Sequence, residues 1–357
     1  MPLANVRSLA RQLGLSASTV SDALRRKGRV SAATNDKVHA AAQAAGYRVN
    51  PLTAHVLAEI RRTRGQNLRG TIATVEIDEP GHDHGPHPRE LVIGARERAA
   101  EMGFLIEEFV VGPRGLRLSR LDSILQARGI HGIIVLPSWY QPDLAALDWS
   151  RYAGIYTDYV TTRPALDSVS PDHYGSMLSL LQQLLDRGYR RPGLVLQHGR
   201  SERIQHRQTA AFHAMGQADA RMERVPILTT PGEPQRHEVE RWLGKHRPDV
   251  VLAHHPELQD WANAWARGQH IGFVLLNVLA RQKPCACLDL QPRILGARAA
   301  ELLVGQILRN QPGTPQWPSR TTVEARFVDG PSLRPAPEGA EFEPTHGGAE
   351  TLKAGSY

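Results

Sequence analysis

Eleven Lys and Arg fall in residues 1 to 65 against only Asp22, Asp36 and Glu59, an excess of eight positive charges. The remaining residues hold 32 basic and 33 acidic side chains, so the whole net charge of +7 sits in the first fifth of the chain. A block of this kind binds a polyanion through ion pairs. Polar side chains within it are spaced to present an edge: Ser16 can cap a short helix from Ala17 to about Arg25, with Val20 and Leu24 inward and Ala17, Ser18, Ser21 and Asp22 outward. Elsewhere, reactive groupings are sparse. His82, His84 and His87 lie in the Gly/Pro-rich run GHDHGPH, which fixes no ligand geometry; they read as a solvated loop near a cleft rather than a metal site, and His254-His255 reads the same way. Cys285 and Cys287, the only cysteines, are too few for structural zinc or a disulfide framework, and read as reduced thiols in or near a strand. No Gly-rich phosphate loop follows a strand and no Gly-x-Ser-x-Gly elbow occurs. With no nucleophile, base and oxyanion constellation, neither catalysis nor a cofactor is expected.

The elements that position these residues follow from periodicity. Asn5 caps a helix whose Val6, Leu9, Ala10 and Leu13 fall at i, i+3, i+4 and i+7, and Gly14 stops it. The helix capped by Ser16 follows at once, so two short helices are joined by a glycine turn, the helix-turn-helix pattern. After the basic loop Arg25-Arg26-Lys27-Gly28-Arg29, Ser31 caps a third helix with Val38, Ala41, Ala42 and Ala45 buried and Gly46 at its end. Asn50-Pro51 opens another helical segment. Beyond it the pattern alternates, as in an α/β fold with parallel sheets. Strands are predicted at 71–77, 104–111, 130–136 and 154–158, with helices at 88–102, 118–127 and 142–147 between them. A second, similar set of strands is predicted at 193–197, 225–229, 250–253 and 272–276, then an amphipathic helix at 295–309 and a final strand at 322–328. The tail, 331–357, is rich in Pro, Gly, Glu and Ala and is expected to be disordered. No run approaches the roughly 18 apolar residues of a membrane helix, and the first residues lack the apolar stretch of a signal peptide, so a cytoplasmic protein without membrane contact is expected.

In order and at matching spacing, residues 6–13, Gly14-Leu15-Ser16-Ala17-Ser18-Thr19-Val20-Ser21, Gly28-Arg29-Val30-Ser31 and Ala44-Ala45-Gly46-Tyr47-Arg48-Val49-Asn50-Pro51 resemble the LacI-type (lac repressor) family of bacterial regulators. The likeness continues through Ile130-His131-Gly132-Ile133-Ile134-Val135-Leu136-Pro137-Ser138, Val169-Ser170-Pro171-Asp172 with 180–191, and 289–303. The resemblance implies an all-α helix-turn-helix domain at 1–49 and a hinge helix and linker at 50–67. A two-lobed, periplasmic-binding-protein-like (type I) sensor and dimerisation domain would follow at 68–330. Its first lobe would hold about 68–165 and 290–318, its second about 166–289 and 319–330.

The same resemblance implies a homodimer on near-palindromic double-stranded operator DNA, with the second helix in the major groove. It assigns DNA contact to Asn5, Ser16, Ala17, Ser18, Thr19, Ser21, Asp22, Arg25, Arg29 and Tyr47, and hinge contact to Asn50, Thr53, Val56 and Leu57. Asp22 stands where most relatives carry Arg. Asp can accept from cytosine N4 and Ala17 can touch a thymine methyl, or Asp22 pairs with Arg25 or Arg26 on the helix surface. Thr53 replaces the usual Ala of the hinge and Val56 its usual Leu. A cleft between lobes would take a small polar effector, a sugar in the first instance. Its expected contacts are Asp78, Trp139, Tyr140, Asp158, Arg207, Gln208 and Asn277. Here the sequence departs from its relatives: Gln208 stands where an Arg is usual, with Arg207 one residue early, and Leu275-Leu276-Asn277 replaces a glycine, aromatic and acidic pair. The expected function is an effector-modulated repressor; the rivals are a regulator that has lost small-molecule binding and a solute-binding protein.

Overall fold

The computed structural model describes residues 10, 13–16, 19–20, 23, 31–44, 69–81, 85–140, 143–159 and 163–335. The chain forms two compact units, one running through Thr71 with Met102–Leu105 added, the other holding the rest. In the first unit Gly14 adopts φ +66°, a left-handed conformation that suits glycine, and the Leu15 N–H donates to the Ala10 carbonyl at 3.0 Å, closing the first helix. Ser16 Oγ accepts from the Thr19 N–H at 3.1 Å. Ser31 Oγ likewise accepts from the Thr34 N–H at 3.3 Å and opens α1 (Ala32–Ala44). Ala10, Val20, Ala23, Val38 and Ala42 form the small core, with Leu13, Leu15 and Ala41 packed against it.

Apart from Gly70, Thr71, Phe104 and Leu105, the strand residues of two six-stranded sheets fall in the second unit, among the described residues. The first runs β11 (Arg320–Val323), β5 (Asp167–Pro171), β4 (Ala153–Tyr156), β3 (Gly132–Val135), β1 (Gly70–Ile77), β2 (Phe104–Val111). The second runs β12 (Arg326–Val328), β10 (Ala286–Asp289), β9 (Gly272–Leu275), β8 (Val250–Ala253), β6 (Pro192–Gln197), β7 (Leu228–Thr230). Pairing is parallel from β1 through β3, β4 and β5 to β11 and from β7 through β6, β8 and β9 to β10, Thr74 against Ile134 and Leu194 against Leu252 for example, while β12 runs antiparallel to β10. Strands β3, β8 and β9 are buried at every residue, which demands continuous apolar runs of the type GIIV and VVLA.

Helices α2 (His87–Glu101), α3 (Leu118–Arg128), α4 (His173–Asp186), α5 (His198–Arg203), α6 (Arg207–Ala218), α7 (Arg236–His246), α8 (Leu258–Ala266) and α9 (Pro292–Leu308) make the connections. α2 and α9 meet almost backbone to backbone. A Cβ on Gly94 would stand 2.0 Å from the Arg293 carbonyl oxygen, and one on Gly296 1.9 Å from that of Leu91, so only glycine permits the contact.

The chain passes between the sheets three times: from β5 into α4, from β10 into α9, and from β11 to β12. The three passages are tied together. Asp172 N–H donates to the Val323 carbonyl (2.7 Å), Gln291 Nε2 to the Glu324 carbonyl (2.6 Å), and Ala325 N–H to Ser176 Oγ (2.8 Å). Such a bundle of short connections is a hinge between lobes.

Several expectations need correction. The strand predicted at 322–328 is two strands, one per sheet, broken at Glu324-Ala325. Since β5 and β11 both belong to the first sheet, the passages fall after 171 and 323 and not at 165 and 318. Instead of a helix at 142–147, residues from Asp143 form turns: the Ala145 N–H donates to Asp143 Oδ1 (3.1 Å), and Leu144 and Leu147 are buried. β7 is shorter than predicted because Pro226 has no N–H to pair. Order also extends past 331. Ser332 Oγ donates to the Phe273 carbonyl and accepts from the Ala286 N–H, and Leu333 is buried, while 336–357 lie outside the described residues. Cys285 and Cys287 are buried thiols at β10, as expected. No helix among the described residues is long and apolar enough to cross a membrane.

Candidate functional site

The carboxyl ends of β3 and β4 face those of β6, β8 and β9 across a cavity of about 200 Å³. Pro137 and Trp139 follow β3, Thr157 and Asp158 follow β4, Arg200 and Arg203 lie on α5 just after β6, His254 follows β8 and Asn277 follows β9. A wider space of about 860 Å³ adjoins it, sharing Trp139, Asp158, Arg200 and Arg203 and adding Tyr140, Glu202, Glu233 and His255. Each strand therefore delivers its functional side chain one to six residues past its end, the position where open α/β sheets bind ligands.

Asp158 is 4% exposed. One carboxylate oxygen accepts from Arg203 Nη1 at 2.6 Å and the other from the Tyr159 N–H at 2.9 Å. Burial raises its pKa above the ordinary carboxylate value, opposed by Arg203, the Tyr159 N–H and Arg320. The guanidinium groups of Arg200 and Arg203 lie 5.1 and 5.5 Å from the centre of the Trp139 ring. Trp139 is fixed in turn by Glu79, whose carboxylate accepts from the Trp139 and Tyr140 N–H groups at 2.7 and 2.9 Å. Arg200 makes no side-chain hydrogen bond or ion pair with a described residue, its Nε is buried without a partner, and burial followed by the nearby Arg203 charge lowers its pKa to about 10.

Among the described residues, three histidines complete the cavity. Burial lowers His87 to about 4 and His173 to about 3, with arginine charges adding to the effect, and His254 falls well below its usual value for the same reasons. All three are therefore neutral at pH 7. His254 Nε2 stands 3.0 Å from Gln208 Oε1, so with that amide orientation Nε2 carries the proton and the buried Nδ1 is left without a partner. His173 stacks on Tyr159 with ring centres 5.6 Å apart.

Of the expected effector contacts, Trp139, Asp158 and Asn277 line the inner cavity, and Tyr140, 65% exposed, lines only the wider space. Asn277 Oδ1 caps a short turn by accepting from the Leu279 N–H at 3.1 Å. Gln208 is buried one layer back, behind His254, and Arg207 packs 4.6 Å from the centre of the Tyr159 ring. Asp78 is a correction: it lines neither space, because its carboxylate is taken by the Arg114 guanidinium and, at 2.7 Å, the Arg114 N–H. His87 and His254 are corrections of the opposite kind, half-buried in the cavity wall and not on a solvated loop; His82 and His84 lie outside the described residues. Reasoning from sequence missed Arg200, Arg203 and His173. The signal was present for the arginines, which start three and six residues after a predicted strand.

Among the expected DNA contacts, Ser16 and Thr19 are described and form the helix cap, their hydroxyls 2.8 Å apart. Asn5, Ala17, Ser18, Ser21, Asp22, Arg25, Arg29, Tyr47, Asn50, Thr53, Val56 and Leu57 lie outside the described residues, as does the hinge.

Two largely parallel sheets joined by three passages around a cleft define a two-lobed fold of the periplasmic-binding-protein-like class. The sequence profile of bacterial regulatory proteins, lacI family, matches residues 6–50. A transcriptional regulator of the helix-turn-helix type from Mycolicibacterium smegmatis is 29% identical over 193 residues, 54% of this chain and 51% of its own. The maltose regulon regulatory protein MalI of Escherichia coli is 26% identical over 192 residues, 52% of each. The chain thus spans about half the length of the curated relatives it matches. Among solved structures, the transcriptional regulator CelR in complex with cellobiose superposes with a TM-score of 0.54 at 19% identity, over 92% of this chain and 99% of that one. It is residues 6–50, then, that match the lacI family of bacterial regulatory proteins, while the likeness of the remainder to solved structures is one of fold.

Proposed function

We infer that the chain is a sequence-specific DNA-binding transcriptional regulator, a repressor in the first instance, whose operator affinity is set by a small polar ligand in the sensor cleft. One observation carries the reading: the family match over 6–50 coincides with the basic block, and the same chain continues into a hinged pair of lobes around a polar cavity. The match also weighs against a solute-binding protein. The names of the relatives, a maltose regulon regulator and a cellobiose complex, favour a polyhydroxylated ligand. A short recognition helix specifies too few bases alone, which favours a homodimer on a near-palindromic site. Such a regulator works in the cytoplasm, where its DNA is. A sensor that has lost its ligand is disfavoured by the unpartnered His254 Nδ1 and Arg200 Nε, since each such group costs about 1–3 kcal/mol that a ligand would recover.

The test is selection of bound genomic fragments by the full-length protein. A near-palindromic motif is expected, with affinity falling steeply as salt rises because phosphate contacts release counterions. Failure to enrich any motif at any salt concentration rejects the reading. Ligand and operator must then show reciprocal coupling: a compound that weakens operator binding is itself bound more weakly on operator.

A further inference from the structure

We propose that the sensor cleft takes an anionic ligand, a small polyhydroxylated molecule bearing a carboxylate or a phosphate, with Arg200 and Arg203 as its counter-ions. The proposal rests on the reading of the cleft as a ligand site, and it departs from a neutral sugar for reasons of charge. Among the described residues, the inner cavity is lined by two guanidinium groups and a single carboxylate, Asp158. That carboxylate is already engaged by Arg203 at 2.6 Å and by the Tyr159 N–H at 2.9 Å, so Arg203 is compensated and Arg200 is not. Both cations lie over Trp139, whose ring face offers only partial relief to two like charges.

More positive charge stands behind them. Arg207 and Arg320 lie 4.6 and 5.2 Å from the centre of the Tyr159 ring, next in sequence to Asp158. The acids Glu202 and Glu233 line the wider space and not the inner cavity. The three histidines add no charge at neutral pH, so they serve as neutral partners for hydroxyl groups, with His254 Nδ1 as a waiting acceptor. A neutral ligand would leave Arg200 desolvated beside Arg203 with nothing opposite it. An anionic head between the two guanidinium groups removes that repulsion and gains charge-assisted, bidentate hydrogen bonds.

The experiment is calorimetric titration of the full-length protein with matched probes: glucose, gluconate, glucose 6-phosphate, and inorganic phosphate alone. At least one anion is expected to bind, more weakly at higher ionic strength, while glucose does not. Arg200→Gln should weaken that anion about 10- to 150-fold, the loss of a hydrogen-bonded charge pair, and Arg200→Lys should restore part of it. The carboxylate and phosphate probes separate the two head groups. Glucose binding as tightly as its charged analogues, binding by none of the anions, or an Arg200→Gln affinity within about twofold of wild type would overturn the proposal. The underlying reading fails separately. A neutral sugar that binds and alters operator affinity leaves the sensor intact and removes the anion; an anion bound at Arg200 without effect on operator affinity does the reverse.

Discussion

Replacing Asp158 with Ala isolates the bond that joins the two lobes across the cleft. The substitution removes the acceptor of Arg203 Nη1 at 2.6 Å and of the Tyr159 N–H at 2.9 Å, and leaves the guanidinium in place. Breaking a fully buried pair costs about 3–5 kcal/mol. Arg203 keeps 24% of its side chain exposed, which favours the lower end, about 3 kcal/mol. For a unit of this size that is roughly 6–12 °C in Tm. Asp158→Asn keeps an acceptor of the same shape and should cost about half as much, the difference being the charge. Thermal and urea unfolding of Asp158→Ala, Arg203→Met and the double variant complete a cycle, and a coupling energy of about 2 kcal/mol is expected because the double variant strands no charge. An Asp158→Ala protein that melts within about 2 °C of wild type, with coupling under about 0.5 kcal/mol, would show that the pair does not hold the cleft.

Gly296→Ala should destabilise the two-lobed unit by about 3 kcal/mol, since its Cβ meets the Leu91 carbonyl at 1.9 Å and backbone cannot give way, whereas Gly199→Ala, with open space around it, should be near neutral; equal urea midpoints would refute the close-packing account. Acidification should destabilise the fold through His173. The unfolded chain takes up that proton near pH 6.5 and the folded chain only near 3, so between those values the unfolded state binds more protons and stability falls with pH, by about 2 kcal/mol from 6.5 to 5. His173→Gln should flatten that slope in urea titrations, and an unchanged slope would contradict it. Asp78→Ala should leave the Kd of whichever ligand the cleft binds unaltered, because Arg114 and not the cavity holds that carboxylate; a change beyond about threefold would return Asp78 to the site.

What could be read in the sequence was what neighbours in the sequence decide. Gly14, Ser16 and Ser31 act on residues within one helical turn, so the turn and both caps were legible, as were β2, which runs from Phe104 to the residue before Gly112, and β8, a continuous apolar run. β5 escaped because DSVSP buries Ser168 and Ser170 and carries no apolar alternation. The two last strands were fused into one because nothing local marks that Glu324-Ala325 is where the chain changes sheets. The site was harder still. Asp158 reads as a free carboxylate until the fold brings Arg203 to it from 45 residues away, and Asp78 reads as one until Arg114 arrives from 36.

The placement of β11 and β12 bears on how the protein is made. Each is the outermost strand of its sheet, and both come from a short stretch near residues 320–328. During synthesis the first sheet can assemble as far as β5, but its neighbour on that side is still roughly 150 residues from being translated, a wait of roughly 10–30 s. Throughout that interval β5 presents an unpaired edge, and β10 does so for a shorter time, which is the condition under which strands of neighbouring nascent chains pair with one another. A ribosome stall or truncation before residue 320 would therefore leave both lobes open at once, and such chains should aggregate rather than accumulate as folded halves.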